Sequence, residues 1–238
     1  MNQRYYGCTV VTIRMSQEEE ESSLSNSDTM NFEKSRQISN DYRKLFQDVP
    51  FITSNELVSL IQQRHEKKNN FFLIVDVRSS SEQSISMIPG SIPLTEFQQQ
   101  QLFLLPTTQK PMTVIFYCTV GYRSGMTARY YQDKYSSSIQ VKNLDGIVAY
   151  THAISNYIHT EENKSIYMLK NPNTHVNTNK VHCYGKTWNY VDSHFEPVFF
   201  NSFHFLWKTL GVGILTLWRS FQHLLSSIHF YISLSNQR

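Results

Sequence analysis

Residues 117–125 read YCTVGYRSG: a cysteine closes an apolar run, and an arginine stands five positions later with a serine behind it. A cysteine is a nucleophile as its thiolate, and the setting of this stretch favours that form. A loop that runs into a helix N-terminus turns backbone N–H groups inward, and the helix end adds about half a positive charge. Arg123 adds a guanidinium suited to fork-like recognition of oxyanions. Gly121 permits φ > 0 if the loop must close on itself. The predicted chemistry is nucleophilic attack by Cys118 from an anion cradle, and the plain alternative is a small buried thiol at a strand end.

Such a loop needs a strand before it and a helix after it, and the flanking sequence offers both. TVIFYC (113–118) and FFLIVDV (71–77) are continuous apolar runs, which predicts strands buried on both faces of a parallel sheet. Ser124 to Tyr135 lacks proline and carries a partial helical face of Met126, Ala128, Tyr130 and Tyr131. Upstream, Thr53-Ser54-Asn55-Glu56 fits a capping box opening a helix through Leu57, Leu60 and Ile61, ended by Lys67-Lys68-Asn69-Asn70. Ile88-Pro89-Gly90-Ser91-Ile92-Pro93 is a rigid turn, with a short helix starting near Thr95. SSSIQVKNLDG supplies a further strand and turn, and Ile147 to Ile158 a further helix. Alternating strands and helices predict an α/β fold, a doubly wound and mostly parallel sheet flanked by helices. In such a sheet the ligand crevice lies beyond the carboxyl ends of the strands, where Cys118 stands.

Four ordered stretches resemble the single-domain type of the rhodanese superfamily. They are Val75-Asp76-Val77-Arg78 with Glu82; Ile88-Pro89-Gly90-Ser91; Cys118 through Ser124; and Asn143-Leu144-Asp145-Gly146 with Ala149-Tyr150. The resemblance implies a sulfurtransferase in which Cys118 takes sulfane sulfur from a donor such as thiosulfate, holds it as a persulfide, and passes it to a thiol or cyanide-like acceptor. Backbone amides of Thr119, Val120, Gly121, Tyr122 and Arg123, with Ser124, would cradle the sulfur, and Arg123 would stabilise donor charge. Asp76 and Arg78 match family residues that brace the loop; on the residues alone, Asp76 caps a turn and Arg78 pairs with Glu82 at i,i+4. No cofactor and no metal is implied.

Cys118 and Arg123 enclose four residues. Related cell-cycle phosphatases and arsenate reductases use five, which widens the cradle for a tetrahedral oxyanion, so four favours a single sulfur. A noncatalytic rhodanese-fold binding module is the alternative of another class, and the intact Cys118 and Arg123 argue against it. The chain departs from the family pattern at Ser86, at Met87 where histidine is usual, at a lone Gly146, and at Tyr150 where tryptophan is usual. Thr119, Val120 and Tyr122 carry no charge, so the loop does not announce an anionic donor.

The 238 residues divide into 1–46, a low-complexity segment expected to be disordered; 47–160, the rhodanese-like domain; 161–198, an extension expected to dock on it; and 199–234, an apolar helical segment. A net charge of +3, with basic residues spread along the chain, points away from nucleic acid. Three cysteines at unrelated spacings suit a reducing, cytoplasmic setting, and CTVVTI is too short for a secretory signal; Arg4 and Arg14 with no acid before Glu18 leave an organellar transit peptide as the alternative. His182, Cys183 and His194 lack the spacing of a zinc site, and Cys183 is either a buried bystander or a thiol able to resolve the persulfide. From Phe203 to Ile228 apolar residues recur in steps of four and three. That helix has three placements: packed on the domain, lying on an anionic membrane surface, or spanning a bilayer.

Overall fold

The computed structural model describes residues 6–67, 72–100 and 112–200. In chain order the elements are α1 (Tyr6–Leu45), β1 (Phe51–Ile52), α2 (Ser54–Lys67), β2 (Phe72–Asp76), α3 (Ser80–Gln83), β3 (Ser91–Pro93), α4 (Leu94–Gln99) and β4 (Met112–Tyr117). They continue with α5 (Tyr122–Tyr135), β5 (Ile139–Leu144), α6 (Ile147–Ile154), α7 (Glu161–Tyr167), β6 (Lys180–His182) and β7 (Glu196–Val198). The first five strands make one sheet in the order β1-β5-β4-β2-β3, every neighbouring pair parallel.

The apolar runs earn their strands by being buried on both faces. In β4, Ile115 and Tyr117 enter the core shared with α2 and α6, while Val114 and Phe116 enter the core shared with α4 and α5. In β2, Ile74 and Val75 divide the same way. Each large apolar side chain so enclosed contributes about 1.5–3 kcal/mol. At α2 the capping box closes in both directions: Glu56 N donates to Thr53 Oγ1 at 3.3 Å, and Thr53 N donates to Glu56 Oε2 at 2.8 Å. The register leaves Asp76 as the last residue of β2, and Cys118 and Asp145 immediately after the carboxyl ends of the adjacent strands β4 and β5.

Residues 26–46 depart from the disorder their composition predicts. Through Leu45 they belong to the 40-residue helix α1, whose Asn31, Ser35 and Ser39 turn toward the domain at helical spacing, and the buried Phe46 follows its end. Ser39 Oγ donates to Asp145 O at 3.0 Å, and Asp28 accepts from Ser193 N and Oγ at 3.0 and 2.6 Å. The extension after residue 160 also packs on the sheet domain. Met87 and Lys170 exchange backbone hydrogen bonds at 2.9 and 3.0 Å, and Tyr150 Oη donates to Tyr167 O at 2.9 Å. Thus two of the positions that depart from the family pattern, Met87 and Tyr150, are attachment points for the extension. The helical segment from Phe203 lies outside the described residues. Among the described residues, no helix is long and apolar enough to cross a membrane.

Candidate active site around Cys118

Cys118 follows β4 directly and is 2% exposed. The chain then turns through Thr119, Val120 and Gly121 into α5, with Gly121 at φ +92°, so the glycine is used for the left-handed conformation the sequence anticipates. Cys118 Sγ accepts from Gly121 N at 3.2 Å and from Ser124 Oγ at 3.5 Å. From behind, the start of α6 holds the loop: Ile147 N donates to Cys118 O at 2.9 Å and Val148 N to Thr119 O at 3.2 Å. Asn143 Nδ2 donates to Gly121 O at 3.0 Å. Gly146, at φ +116°, permits this contact, because a Cβ there would stand 2.4 Å from Thr119 O. One glycine after Asn143-Leu144-Asp145 therefore suffices.

Asp145 fixes that corner from the other side. Its carboxylate accepts from Ser54 N at 2.9 Å, at the start of α2, and from Ser54 Oγ. Burial pushes the Asp145 carboxyl up to about 7, against the lowering effect of the Ser54 hydrogen bonds.

Arg123 does not project freely into the cradle. Its Nη1 and Nη2 donate to Glu82 Oε2 and Oε1 at 2.8 and 2.7 Å, and Nη2 also reaches Thr119 Oγ1 at 3.2 Å. Thr119, expected beside the sulfur, thus turns its hydroxyl toward Arg123. Glu82 is only 4% exposed, and Ser79 N and Oγ donate to its Oε2 at 2.9 and 2.8 Å. His182 Nδ1, from β6, lies 3.2 Å from Glu82 Oε1. Burial raises the Glu82 pKa, but the bonds from Arg123 and His182 outweigh it and hold the carboxyl well below the carboxylate range. The i,i+4 pairing of Arg78 with Glu82 is not formed; Glu82 serves Arg123 instead. Ser79-x-x-Glu82 carries a capping pattern in the sequence, but nothing local announces partners 41 and 100 residues away.

Arg78 pairs with Asp76, both side chains fully enclosed. Arg78 Nε donates to Asp76 Oδ1 at 3.0 Å, and Nη2 donates to Asp76 Oδ2 at 2.7 Å and to Ser86 O at 2.6 Å. Tyr117 Oη donates to Asp76 Oδ2 at 2.7 Å and accepts from Ile88 N at 3.1 Å. Among these bonds, the pair meets the cysteine loop through Tyr117, the residue before Cys118, and holds the 86–91 turn directly. Asp76 and Arg78, expected to brace the loop, thus lie one residue removed from it, with Tyr117 between.

His182, Cys183 and His194 are not gathered at one centre. His182 faces Glu82, His194 lies 2.8 Å from Asp192, and Cys183 is 1% exposed in the core with α6 and α7. Burial pushes the Cys183 thiol up to about 12, which suits a buried thiol rather than a resolving nucleophile.

Three rings gather near the loop: Tyr42 of α1, Tyr122 at the start of α5 and Trp188 of the short 3-10 turn Lys186–Trp188. Tyr122 is 40% exposed.

Solved structures of similar fold include a Rhodopseudomonas palustris protein of unknown function, described as a possible tyrosine phosphatase. It is 21% identical over 50% of this chain and 89% of that one, with a TM-score of 0.36. A rhodanese-like domain protein of Staphylococcus aureus is 21% identical over 43% and 91% of the two chains, TM-score 0.33. Reduced Bacillus anthracis CoADR-RHD is 22% identical over 45% and 17%, TM-score 0.34. No curated protein sequence matches the chain. The family model that does match is that of the Rhodanese-like domain, and it covers the stretch from α2 to α6 that builds the cysteine loop and its supports; residues 55–153 are a rhodanese-like domain.

Proposed function

We propose that this chain is a sulfurtransferase in which Cys118 carries a sulfane sulfur as a persulfide. The observation that supports this most is the small cradle around Sγ, with Gly121 N at 3.2 Å and Ser124 Oγ at 3.5 Å inside a loop of four intervening residues. The Cys118 thiolate attacks the outer sulfur of the donor. A bond forms between Sγ and that sulfur, the donor S–S bond breaks, and its electron pair leaves with the rest of the donor. An acceptor thiolate then attacks the same outer sulfur and Cys118 leaves as thiolate. Gly121 N–H and Ser124 O–H are placed to stabilise negative charge on sulfur at both stages, and burial keeps water from the persulfide.

Aryl phosphate hydrolysis is disfavoured by the same geometry. A phosphate bound by Cys118 would need the Arg123 fork, and both of its Nη atoms are committed to Glu82 at 2.7 and 2.8 Å. Intact-protein mass spectrometry after incubation with thiosulfate and with a thiosulfonate should show one added sulfur, absent in Cys118→Ser. Phosphate release without sulfur uptake from either donor would overturn the assignment.

A further inference from the structure

We propose that the sulfur donor at this site is an organic thiosulfonate or persulfide carrying a flat apolar group, rather than a small inorganic dianion. The inference rests on the sulfurtransferase reading above and concerns what delivers the sulfur.

Two observations combine. The first is charge. The loop residues Thr119, Val120 and Tyr122 are uncharged, Arg123 is forked onto Glu82, and Arg78 is forked onto Asp76. A doubly charged donor entering here sheds hydration and meets Arg123 and Arg78 each already paired with a carboxylate. The second is the ring cluster. Tyr42 stands 5.3 Å from Tyr122 and 5.8 Å from Trp188, centroid to centroid, and Phe46 stands 5.9 Å from Tyr122. These are the spacings at which rings attract one another, and the same attraction acts on a flat group laid against an exposed ring face. Tyr122 is four residues from Cys118 and partly open to solvent, so the cluster borders the nucleophile. Tyr42 is itself within electrostatic reach of the sulfur: burial first, then the charges of Cys118 and Tyr122, push its hydroxyl pKa up.

Tyr42 and Trp188 lie outside residues 55–153. The domain supplies the nucleophile, and the two flanking segments supply the surface that selects its donor. The transfer balances without an external oxidant. With a thiosulfonate anion, the Cys118 thiolate bonds to the outer sulfur, the S–S bond breaks, and its electron pair departs on the sulfinate.

The test compares benzenethiosulfonate, methanethiosulfonate and thiosulfate as donors to the full chain, following sulfur added to Cys118 by mass and sulfinate or sulfite released. Benzenethiosulfonate should exceed methanethiosulfonate by about tenfold in kcat/KM, carried by KM, with thiosulfate the poorest of the three. Tyr42→Leu and Trp188→Leu, which keep apolar bulk but lose the ring, should bring the benzene-to-methane ratio toward one, and Tyr42→Phe should preserve it. Methanethiosulfonate uptake in each variant shows that the site is assembled. Sulfur uptake with equal use of the two thiosulfonates, or with thiosulfate preferred, refutes the donor class and leaves the sulfurtransferase reading standing. No uptake from any of the three refutes both.

Discussion

Replacing Glu82 with glutamine tests the most consequential contact of the site, because the carboxylate accepts four hydrogen bonds and one of its oxygens lies 3.2 Å from His182 Nδ1. Glutamine keeps one acceptor oxygen and sets an NH2 group against the donors on the other side. Removing one partner of a buried ion pair costs about 3–5 kcal/mol. Glu82 is 4% exposed but Arg123 is 30% exposed, so the released guanidinium recovers some hydration and the low end applies, about 3 kcal/mol. For a unit of this size that lowers Tm by about 6–12 °C.

The pH dependence has a definite sign. The folded Glu82 carboxyl is held far below its ordinary value of 4.5, so its contribution is fully present above that value and is lost as pH falls below it. Urea unfolding of wild type and Glu82→Gln should therefore differ by a constant amount between pH 6 and 8, on the order of 3 kcal/mol. The two should converge under acid conditions. Losing Glu82 also frees the Arg123 charge, so thiosulfate uptake should rise relative to methanethiosulfonate uptake in the same variant. A variant within about 0.5 kcal/mol of wild type, or a gap that widens in acid, refutes the reasoning.

Gly146→Ala places a Cβ 2.4 Å from Thr119 O at a left-handed φ of +116°, with backbone as the obstacle, and should lose about 2–4 kcal/mol in urea unfolding together with most sulfur uptake. Wild-type stability in that variant would show that α6 does not press on the cysteine loop. Asp145→Asn should remove a slope from the stability profile. The folded carboxyl, raised from 3.8 to about 7, keeps a proton the unfolded chain has released, so wild-type stability should fall as pH rises from 4 to 7 and level off above. The shift bounds that fall at about 4 kcal/mol, and an unchanged slope in Asp145→Asn would assign it to another group.

The strands and the cysteine loop were legible because their determinants are local. β2 and β4 are buried on both faces, so they read as unbroken apolar runs, and Thr53-x-x-Glu56 announces the start of α2 within four residues. The fate of Arg123 was not legible. A guanidinium beside a nucleophilic cysteine invites an anionic ligand, and only the tertiary fold brings α3 and β6 beside it, so that Glu82 takes the fork and His182 closes over Glu82. The same limit applies to Asp76 and Arg78, whose pairing over two residues is local but whose attachment to Ser86 and Tyr117 depends on neighbouring strands.

The described part of α1 was missed for a different reason, and the reason bears on function. A hydrophobic pattern identifies a helix that buries apolar side chains, whereas α1 turns Ser35 and Ser39, 4% and 6% exposed, against the domain. Small hydroxyl residues let the helix approach closely, and Ser39 then spends its hydrogen on Asp145 O, at the corner that carries Gly146 and supports the cysteine loop. Three residues later the same helix delivers Tyr42 to Tyr122 and Trp188. A helix held by two serines contributes less apolar burial than one held by leucines, but its position is set by a directional bond to the site. Its placement and that of the donor-binding rings are therefore one structural event, and a substitution at Ser39 should shift donor selectivity before it affects sulfur uptake itself.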